Sequence, residues 1–336
     1  MTDVFMLLGG FLLLTIGGEL LVRGSVSFAE SLGISPLIIG LTFVGFGTSM
    51  PELVTSVQAA RVGAPGIAVG NFVGSNIANT LLVLGLAALI TPIAMRKSAV
   101  KRDGLFVLAI SVAFSLIAYF YTLDRIVGIS FLTLLGLYLT YAYRQETAEW
   151  DTWKKGHTSF YEKAEAYSHL RDGVHDRTSD EAVAARAAMV KNLIMAIAGI
   201  GILIGGGTIL VNGAVDLARQ FNISESVIGL TIVAIGTSMP EIVTSLVAAL
   251  RKHSDVALGN ILGSNIYNIL AIGGTTALIA PTDVPVRIAH FDNLVMVGAA
   301  VLLLTFARTG YRVVRLEGLV LLTFYAAYIW ALWPVT

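Results

Sequence analysis

The stretch that decides the fold is residues 40–92, which reads GLTFVGFGTSMPELVTSVQAARVGAPGIAVGNFVGSNIANTLLVLGLAALITP. The chain repeats this stretch 189 positions later, at residues 229–281, without a gap and with 29 of 53 residues identical. Identity of this extent indicates an internal duplication. A duplicated unit at a fixed offset predicts two structurally equivalent halves.

The composition around the repeat is that of a membrane protein. Of the 336 residues, 56% are hydrophobic and 13% are charged, and the mean hydropathy is +0.79. A soluble chain carries about 25% charged residues, so the composition disfavours a soluble enzyme. The 22 basic and 22 acidic residues balance, which predicts no basic surface for nucleic acid. The absence of cysteine excludes disulfides and thiolate metal sites.

Apolar stretches of about 20 residues predict an all-α integral membrane protein with ten transmembrane helices. The stretches are residues 4–22, 37–60, 67–90, 105–121, 126–143, 193–211, 227–250, 256–279, 294–306 and 316–333. One long polar segment, residues 144–191, separates them into a first five-helix repeat (1–143) and a second, inverted five-helix repeat (192–336). Residues 145–170 of that segment favour a helix within a solvated linker.

The distribution of Lys and Arg predicts the orientation in the membrane. With the N-terminus outside, 18 of the 22 basic residues lie in loops on the same side as residues 144–191. Basic loops are retained in the cytoplasm, so we expect a multi-pass protein of the inner or plasma membrane with both termini outside and a cytoplasmic central loop. Because each half has five spans, the second copy is inverted relative to the first. Inverted repeats are typical of secondary transporters, whose substrate site lies at the midplane.

The most similar segment of the two copies is Gly-Thr-Ser-Met-Pro-Glu, at residues 47–52 and 236–241. A proline inside a helix removes one amide hydrogen bond and breaks the helix. Unpaired carbonyls at membrane depth are tolerated where they line a cavity or meet an ion. A glutamate in the middle of a span is costly to bury, which favours a functional role for Glu52 and Glu241.

The next span carries Asn71, Ser75 and Asn79 at spacings of four, which places them on one helix face. The second copy has Asn260, Ser264 and Asn268 at the equivalent positions. Carboxylates, hydroxyls, amides and backbone carbonyls are oxygen ligands, which hard cations prefer, calcium especially. Sodium, also a hard cation, could use the same oxygens.

These segments, with Gly-Ser-Asn-Ile-Ala-Asn (74–79) and Gly-Ser-Asn-Ile-Tyr-Asn (263–268), closely resemble the two alpha repeats of the cation/calcium antiporter superfamily. The chain resembles the prokaryotic sodium/calcium exchangers of that superfamily. This resemblance implies electrogenic exchange of sodium for calcium by alternating access, with the first and sixth spans sliding across a core formed by the others. It implies no cofactor, with Ca²⁺ and Na⁺ as the transported ions, and we infer no obligatory protein partner.

The resemblance also implies a set of ion ligands. Glu52 and Glu241 would be the central calcium ligands, assisted by Thr48 and Thr237. Serine side chains and two backbone oxygens would form the flanking sodium sites, and two amides would complete the central ring. The further residues in this set are Ser49, Ser75, Ser238, Ser264, Gly45, Ala234, Asn79 and Asn268.

Four other functions compete with this one. Some relatives carry aspartate where this chain has Asn268, so exchange of protons for calcium and potassium-dependent exchange both stay open. Hydroxyl-rich flanking sites favour sodium, because a proton needs no cage of oxygens. A cation channel can also use a ring of carboxylates, although broken helices in inverted repeats fit alternating access better. A membrane-embedded hydrolase lacks a nucleophile paired with a histidine base in the apolar spans.

Overall fold

The computed structural model describes residues 2–32, 34–172, 179–220 and 234–332, which are almost entirely helical. The helices are α1 (Thr2–Leu32), α2a (Pro36–Thr48), α2b (Met50–Arg61), α3 (Pro65–Ile90), α4 (Lys97–Phe120), α5 (Arg125–Asp172), α6 (Ser179–Gln220), α7a (Ala234–Thr237), α7b (Met239–Leu250), α8 (Ser254–Ile279), α9 (Ile288–Arg308) and α10 (Arg315–Leu332). Two short strands, β1 (Ile93–Ala94) and β2 (Arg312–Val313), pair antiparallel.

The fold is that of a multi-pass helical membrane protein, as the sequence predicts. Within the described residues, eight helices are long and apolar enough to cross a bilayer, and the bent pair of α2a and α2b can be a ninth span. Helix α7b is apolar but has only 12 residues. The predicted seventh span, residues 227–250, begins at 227–233, which lie outside the described residues. The count of ten spans therefore stays a prediction.

The helices on either side of the polar segment continue into it. Helix α5 does not end at residue 143, where the apolar stretch ends, but runs to Asp172. The helix predicted at residues 145–170 is thereby confirmed. Helix α6 begins at Ser179, and residues 173–178 lie outside the described residues.

Two helices begin earlier than hydropathy predicts, because polar residues extend them. Helix α4 begins at Lys97 rather than at residue 105, and α9 begins at Ile288 rather than at residue 294. Each added part contains a π-helical turn, in which one extra residue is accommodated. Further π-helical turns occur at Gly40–Val44, Asn79–Val83 and Tyr267–Gly273. Hydropathy misses these starts since charged side chains there are buried with partners, Arg102 with Asp103 in α4 and Asp292 with Tyr328 of α10.

Helices α3 and α8 form the centre of the molecule. The most apolar window of α8 is 100% buried and that of α3 is 72% buried, whereas the corresponding windows of α5 and α10 are 22% and 17% buried. Polar side chains on α3 and α8 are therefore shielded from lipid by the surrounding helices. This burial explains why α8 can carry several asparagine and serine residues within a membrane.

Glycines allow the helix backbones in this core to approach closely. A Cβ atom at Gly263 of α8 would lie 2.4 Å from the Leu41 carbonyl oxygen of α2a. A Cβ atom at Gly199 of α6 would lie 2.5 Å from the Leu21 backbone nitrogen of α1. Both distances are shorter than any real contact, so only glycine fits. Small residues of this kind give close helix packing in bilayers.

Pairings between loops occur at both ends of the molecule. At one end, Ile93 of β1 pairs with Val313 of β2. At the other end, beyond α4 and α9, Leu123 forms a β-bridge with Thr282. At the offset of 189, residue 93 corresponds to 282, and 313 corresponds to 124, which is next to Leu123. The two pairings thus match to within one residue, as two inverted copies would produce.

Candidate functional site

Two helix breaks position the candidate site. Helices α2a and α2b meet at Ser49 with a bend of 44°. Ser49 has φ −83° and ψ 5°, and Ser238, between α7a and α7b, has nearly the same values, φ −87° and ψ 7°. Pro51 and Pro240 each lie at the start of the helix that follows, where a missing N–H costs nothing. The predicted breaks are confirmed.

The breaks place one carboxylate in the first turn of each following helix. Glu52 lies in the first turn of α2b, and Glu241 lies in the first turn of α7b. Backbone N–H groups at a helix N-terminus are unpaired and carry partial positive charge, which stabilises a nearby anion. The local sequence thus places each glutamate where the start of a helix provides a favourable partial positive charge.

Each carboxylate is held by a serine from the other copy of the repeat. Ser49 donates a hydrogen bond to Oε1 of Glu241 (3.0 Å), and Ser238 donates one to Oε1 of Glu52 (3.2 Å). The two helix breaks therefore face each other. Neither copy forms this site alone.

The second oxygen of each carboxylate has no hydrogen-bond partner among the described residues. Oε2 of Glu52 and Oε2 of Glu241 are both buried, and both side chains are only 1% exposed. The ion pairs found among the described residues involve other acids. Because burying a carboxylate oxygen without a partner costs several kcal/mol, these atoms are suited to bind a cation.

Hydroxyl groups flank the carboxylates on both sides. Ser75 Oγ of α3 lies 3.2 Å from Ser238 Oγ. Ser264 Oγ of α8 lies within hydrogen-bond distance of two acceptors, Oε1 of Glu241 (3.5 Å) and the Gly45 carbonyl oxygen (3.4 Å). The structure thus brings together the serines and the Gly45 oxygen that the sequence analysis predicts as sodium ligands.

The two threonines next to the breaks differ in their burial. Thr48 is 1% exposed and donates to the Val44 carbonyl (3.1 Å) and to Asn260 Oδ1 (3.1 Å). Thr237, its equivalent at the end of α7a, is half-buried. Ala234 is the first residue of α7a.

The two amides predicted for the central ring are buried. Asn79 is 1% exposed, and neither its oxygen nor its nitrogen has a partner among the described residues. Asn268 is also 1% exposed and donates through Nδ2 to Asn76 Oδ1 (3.4 Å), which leaves its own oxygen unpaired in the described structure. Both side chains thus have an amide oxygen available to a cation.

Asn71 and Asn260 brace the broken helices. Asn71 Nδ2 donates to the Glu52 carbonyl (3.0 Å) and to Ser56 Oγ (2.9 Å). Asn260 Nδ2 makes the equivalent bonds, to the Glu241 carbonyl (3.4 Å) and to the equivalent serine (2.9 Å). The sequence places Asn71 on one helix face with Ser75, and Asn260 on one face with Ser264. That spacing alone does not tell whether the two asparagines bind an ion or hold the broken helices.

Sequence reasoning did not single out Asn76 and Asn265, which also contact site or neighbouring polar residues. Asn76 accepts the bond from Asn268, and Asn265 donates to Thr80 Oγ1 (2.9 Å). The sequence does contain an indication of their importance, since both copies of the repeat have asparagine at this position of the Gly-Ser-Asn-Ile segment.

The donor set suits hard cations. It contains two carboxylates, hydroxyls, amides and a backbone carbonyl, and the described residues hold no group of three His, Cys, Asp or Glu side chains that could bind a metal. Calcium accepts many oxygen ligands in irregular geometry, and a formal charge of −2 matches one divalent ion. Zinc and copper prefer nitrogen and sulfur ligands.

The chain belongs to the sodium/calcium exchanger protein family, whose family model matches residues 2–144 and 191–333. The resemblance to the cation/calcium antiporter superfamily that the repeated motifs carry is thereby confirmed. The match covers both halves of the chain and leaves out most of the polar segment between them.

Three similar proteins cover nearly the whole chain. CaxA of Alkalimonas amylolytica is 36% identical over 97% of this chain and 96% of its own length. The sodium/calcium exchanger MaX1 of Methanosarcina acetivorans is 33% identical over 97% of each chain. The solved structure of the sodium-calcium exchanger NCX_Mj is 30% identical, with a TM-score of 0.81 over 99% of each chain.

Proposed function

We propose that this protein is an electrogenic sodium/calcium antiporter that extrudes Ca²⁺ from the cytoplasm by using the Na⁺ gradient. The observation that carries the proposal is the pair of buried carboxylates, Glu52 and Glu241. Each is bonded to a serine of the opposite copy and keeps one oxygen unpaired within the described structure. The names of MaX1 and NCX_Mj, both sodium/calcium exchangers, support the choice of ions.

The charges of the site support competition between the two ions. Glu52 and Glu241 together carry −2, which one Ca²⁺ neutralises. Na⁺ ions can bind the same carboxylates together with the flanking hydroxyls of Ser75 and Ser264. If the Na⁺ ions that replace one Ca²⁺ carry more than its two charges, each cycle moves net charge and responds to membrane potential.

Alternating access would arise from the duplication. We infer ten spans arranged as inverted repeats, residues 1–143 and 192–336, joined by the cytoplasmic linker 144–191. The loop pairings at opposite ends of the molecule, which match to within one residue, support this arrangement. The close packing of α1 against α6 is compatible with their moving as a pair. The protein would then be a secondary active transporter of the cell membrane rather than an enzyme.

Flux measured in proteoliposomes tests this function. Purified protein is reconstituted with Na⁺ inside, and ⁴⁵Ca²⁺ uptake is followed while sodium, potassium and proton gradients are imposed separately. We expect uptake only with the sodium gradient, and faster uptake when a potassium diffusion potential makes the interior positive, because Na⁺ leaves with net positive charge. Liposomes reconstituted with the double variant Glu52→Gln/Glu241→Gln serve as the control.

The alternatives give different results in the same assay. Uptake driven by a proton gradient without sodium would assign the protein to proton/calcium exchange. A strict requirement for potassium would assign it to potassium-dependent exchange. Calcium flux without any counter-ion, and without saturation, would indicate a channel and overturn the proposal.

A further inference from the structure

The two amides of the central ring occupy equivalent positions in the two copies but have different surroundings. Asn268 Nδ2 donates to Asn76 Oδ1 at 3.4 Å. The equivalent atoms in the other copy are Nδ2 of Asn79 and Oδ1 of Asn265, and both are buried without a partner in the described structure. The same hydrogen bond is therefore made in one copy and left unmade in the other.

Thr80 accounts for the difference. Asn265 Nδ2 donates to Thr80 Oγ1 at 2.9 Å. The position equivalent to Thr80 is Ile269, which has no hydroxyl group. Asn76 Nδ2 lies instead 3.6 Å from Met296 Sδ, and a thioether sulfur is only a weak acceptor. The Thr80 hydroxyl thus fixes the orientation of the Asn265 amide, in which Oδ1 accepts no bond from Asn79. The Asn76 amide has no such strong partner and is oriented with Oδ1 towards Asn268 Nδ2.

A single hydrogen bond matters here because the amides are shielded from water. Asn76, Asn79, Asn265 and Asn268 are each at most 3% exposed. Hydrogen bonds are strengthened in such surroundings, and an amide without one lacks that constraint on which end is the oxygen. A cation binds only the oxygen of an amide. With its nitrogen engaged, Asn268 has its oxygen free to bind the ion, while Asn79 must be ordered when the ion arrives.

We propose that Asn76 is a positioning residue, which anchors the Asn268 amide so that its oxygen is a preorganised ligand of the central cation site. Thr80, by binding Asn265, leaves Asn79 without the equivalent anchor. The central site therefore has one amide anchored by a hydrogen bond and one without such an anchor. This inference rests on the proposed function, since it concerns the binding of the transported calcium.

A matched pair of variants tests the anchor. The Michaelis constant for Ca²⁺ in sodium-driven uptake is measured for Asn76→Leu and for its equivalent in the other copy, Asn265→Leu. We expect Asn76→Leu to raise the constant about tenfold, which corresponds to about 1.4 kcal/mol, with the maximal rate within about twofold of the unchanged protein. Asn265→Leu should change it by less than about threefold. Equal increases in the two variants would overturn the inference.

A double-mutant cycle separates positioning from general damage to the core. If Asn76 acts through Asn268, then Asn76→Leu should add little to the effect of Asn268→Leu. The double variant should then have nearly the same Michaelis constant for Ca²⁺ as the single variant Asn268→Leu. If the fold-increase in the double variant is instead the product of the two single fold-increases, Asn76 acts independently of Asn268 and the positioning role is wrong.

A third variant, expected to bind Ca²⁺ more tightly, tests the inference in a way that misfolding of Asn76→Leu cannot imitate. Thr80→Ile introduces the residue of the equivalent position and releases Asn265 to bond with Asn79, so it should lower the Michaelis constant about threefold. Misfolding does not raise affinity, and an unchanged or raised constant would contradict the role of Thr80. If the unchanged protein shows no sodium-driven calcium flux, the proposed function fails and this inference with it. If the unchanged protein is active but the effects of Asn76→Leu and Asn268→Leu on the Michaelis constant multiply, this inference is wrong and the proposed function stands.

Discussion

At the scale of residues, the charge of the site is concentrated in two glutamates, which lie among neutral hydroxyl and amide side chains. Glu52 and Glu241 each accept one hydrogen bond from a serine of the other copy and keep one unpaired oxygen within the described structure. If both charges balance a divalent ion, as we propose, replacing either glutamate with a neutral side chain of the same shape should weaken calcium binding.

Glu52→Gln or Glu241→Gln should therefore abolish calcium exchange in a protein that still folds. Removing the anionic partner of a buried cation costs about 3 kcal/mol or more, which for the contact between a carboxylate and Ca²⁺ corresponds to a loss of at least about a hundredfold in calcium affinity. The measurement is sodium-driven ⁴⁵Ca²⁺ uptake at several calcium concentrations. Glu30→Gln, which changes an exposed glutamate at the end of α1, is the control and should transport normally. Near-normal calcium affinity in either site variant would place the central site elsewhere.

At the scale of elements, a buried ionic network joins α5 to the beginnings of α2a and α4. Glu146 of α5 is fully buried and accepts hydrogen bonds from Ser35 Oγ (2.8 Å), Arg96 (2.9 Å) and Arg102 (3.0 Å). Ser35 is the N-cap residue of α2a, the helix that leads to the first break. This network thus connects the polar extension of α5 to a helix that forms the site.

Glu146→Gln should destabilise the protein because two arginines lose their shared anionic partner. Breaking a buried ion pair typically costs 3–5 kcal/mol, although Asp103 and Asp255 continue to pair with these arginines and reduce the effect to about 2 kcal/mol. Thermal unfolding in detergent, followed by size-exclusion chromatography after heating, should show a midpoint several degrees lower. The exposed variant Glu30→Gln should not shift the midpoint. Equal midpoints for the two variants would show that the network adds no stability.

At the scale of the whole molecule, the loop pairings define two ends. The β1–β2 pairing and the Leu123–Thr282 bridge lie at opposite ends, and the charge distribution predicts that the β1–β2 end faces the cytoplasm. The chain contains no cysteine, so a single introduced cysteine reports on one position without background labelling.

Val62→Cys, between α2b and α3, should label with a membrane-impermeant maleimide in intact cells, because Val62 is 80% exposed and lies at the predicted outer end. Arg312→Cys, on β2, should label only after the membrane is permeabilised. The mass shift on a denaturing gel measures both. Permeabilised cells provide the positive control for each site, and the reverse pattern would contradict the predicted orientation.

A feature of this protein was predictable from the sequence when the interacting residues lie close together in the chain, and not when they lie on different helices. The helix breaks at Ser49 and Ser238 were predictable because Pro51 and Pro240 act on their own helices. The early start of α4 was not, since its charged residues are accommodated by partners on another helix. Arg102 is buried only because Asp103 and Glu146 bind it, and Glu146 lies on α5.

The sequence by itself determined the membrane class, the duplication, the helix breaks and the two glutamates, because each follows from composition or from residues close together in the chain. Only the tertiary structure decided which oxygens meet. Ser49 bonds to Glu241 rather than to its near neighbour Glu52, and Asn76 bonds to Asn268. The physical reason is that these contacts join residues nearly 200 positions apart. Packing between the two copies creates them, and no local pattern encodes their geometry.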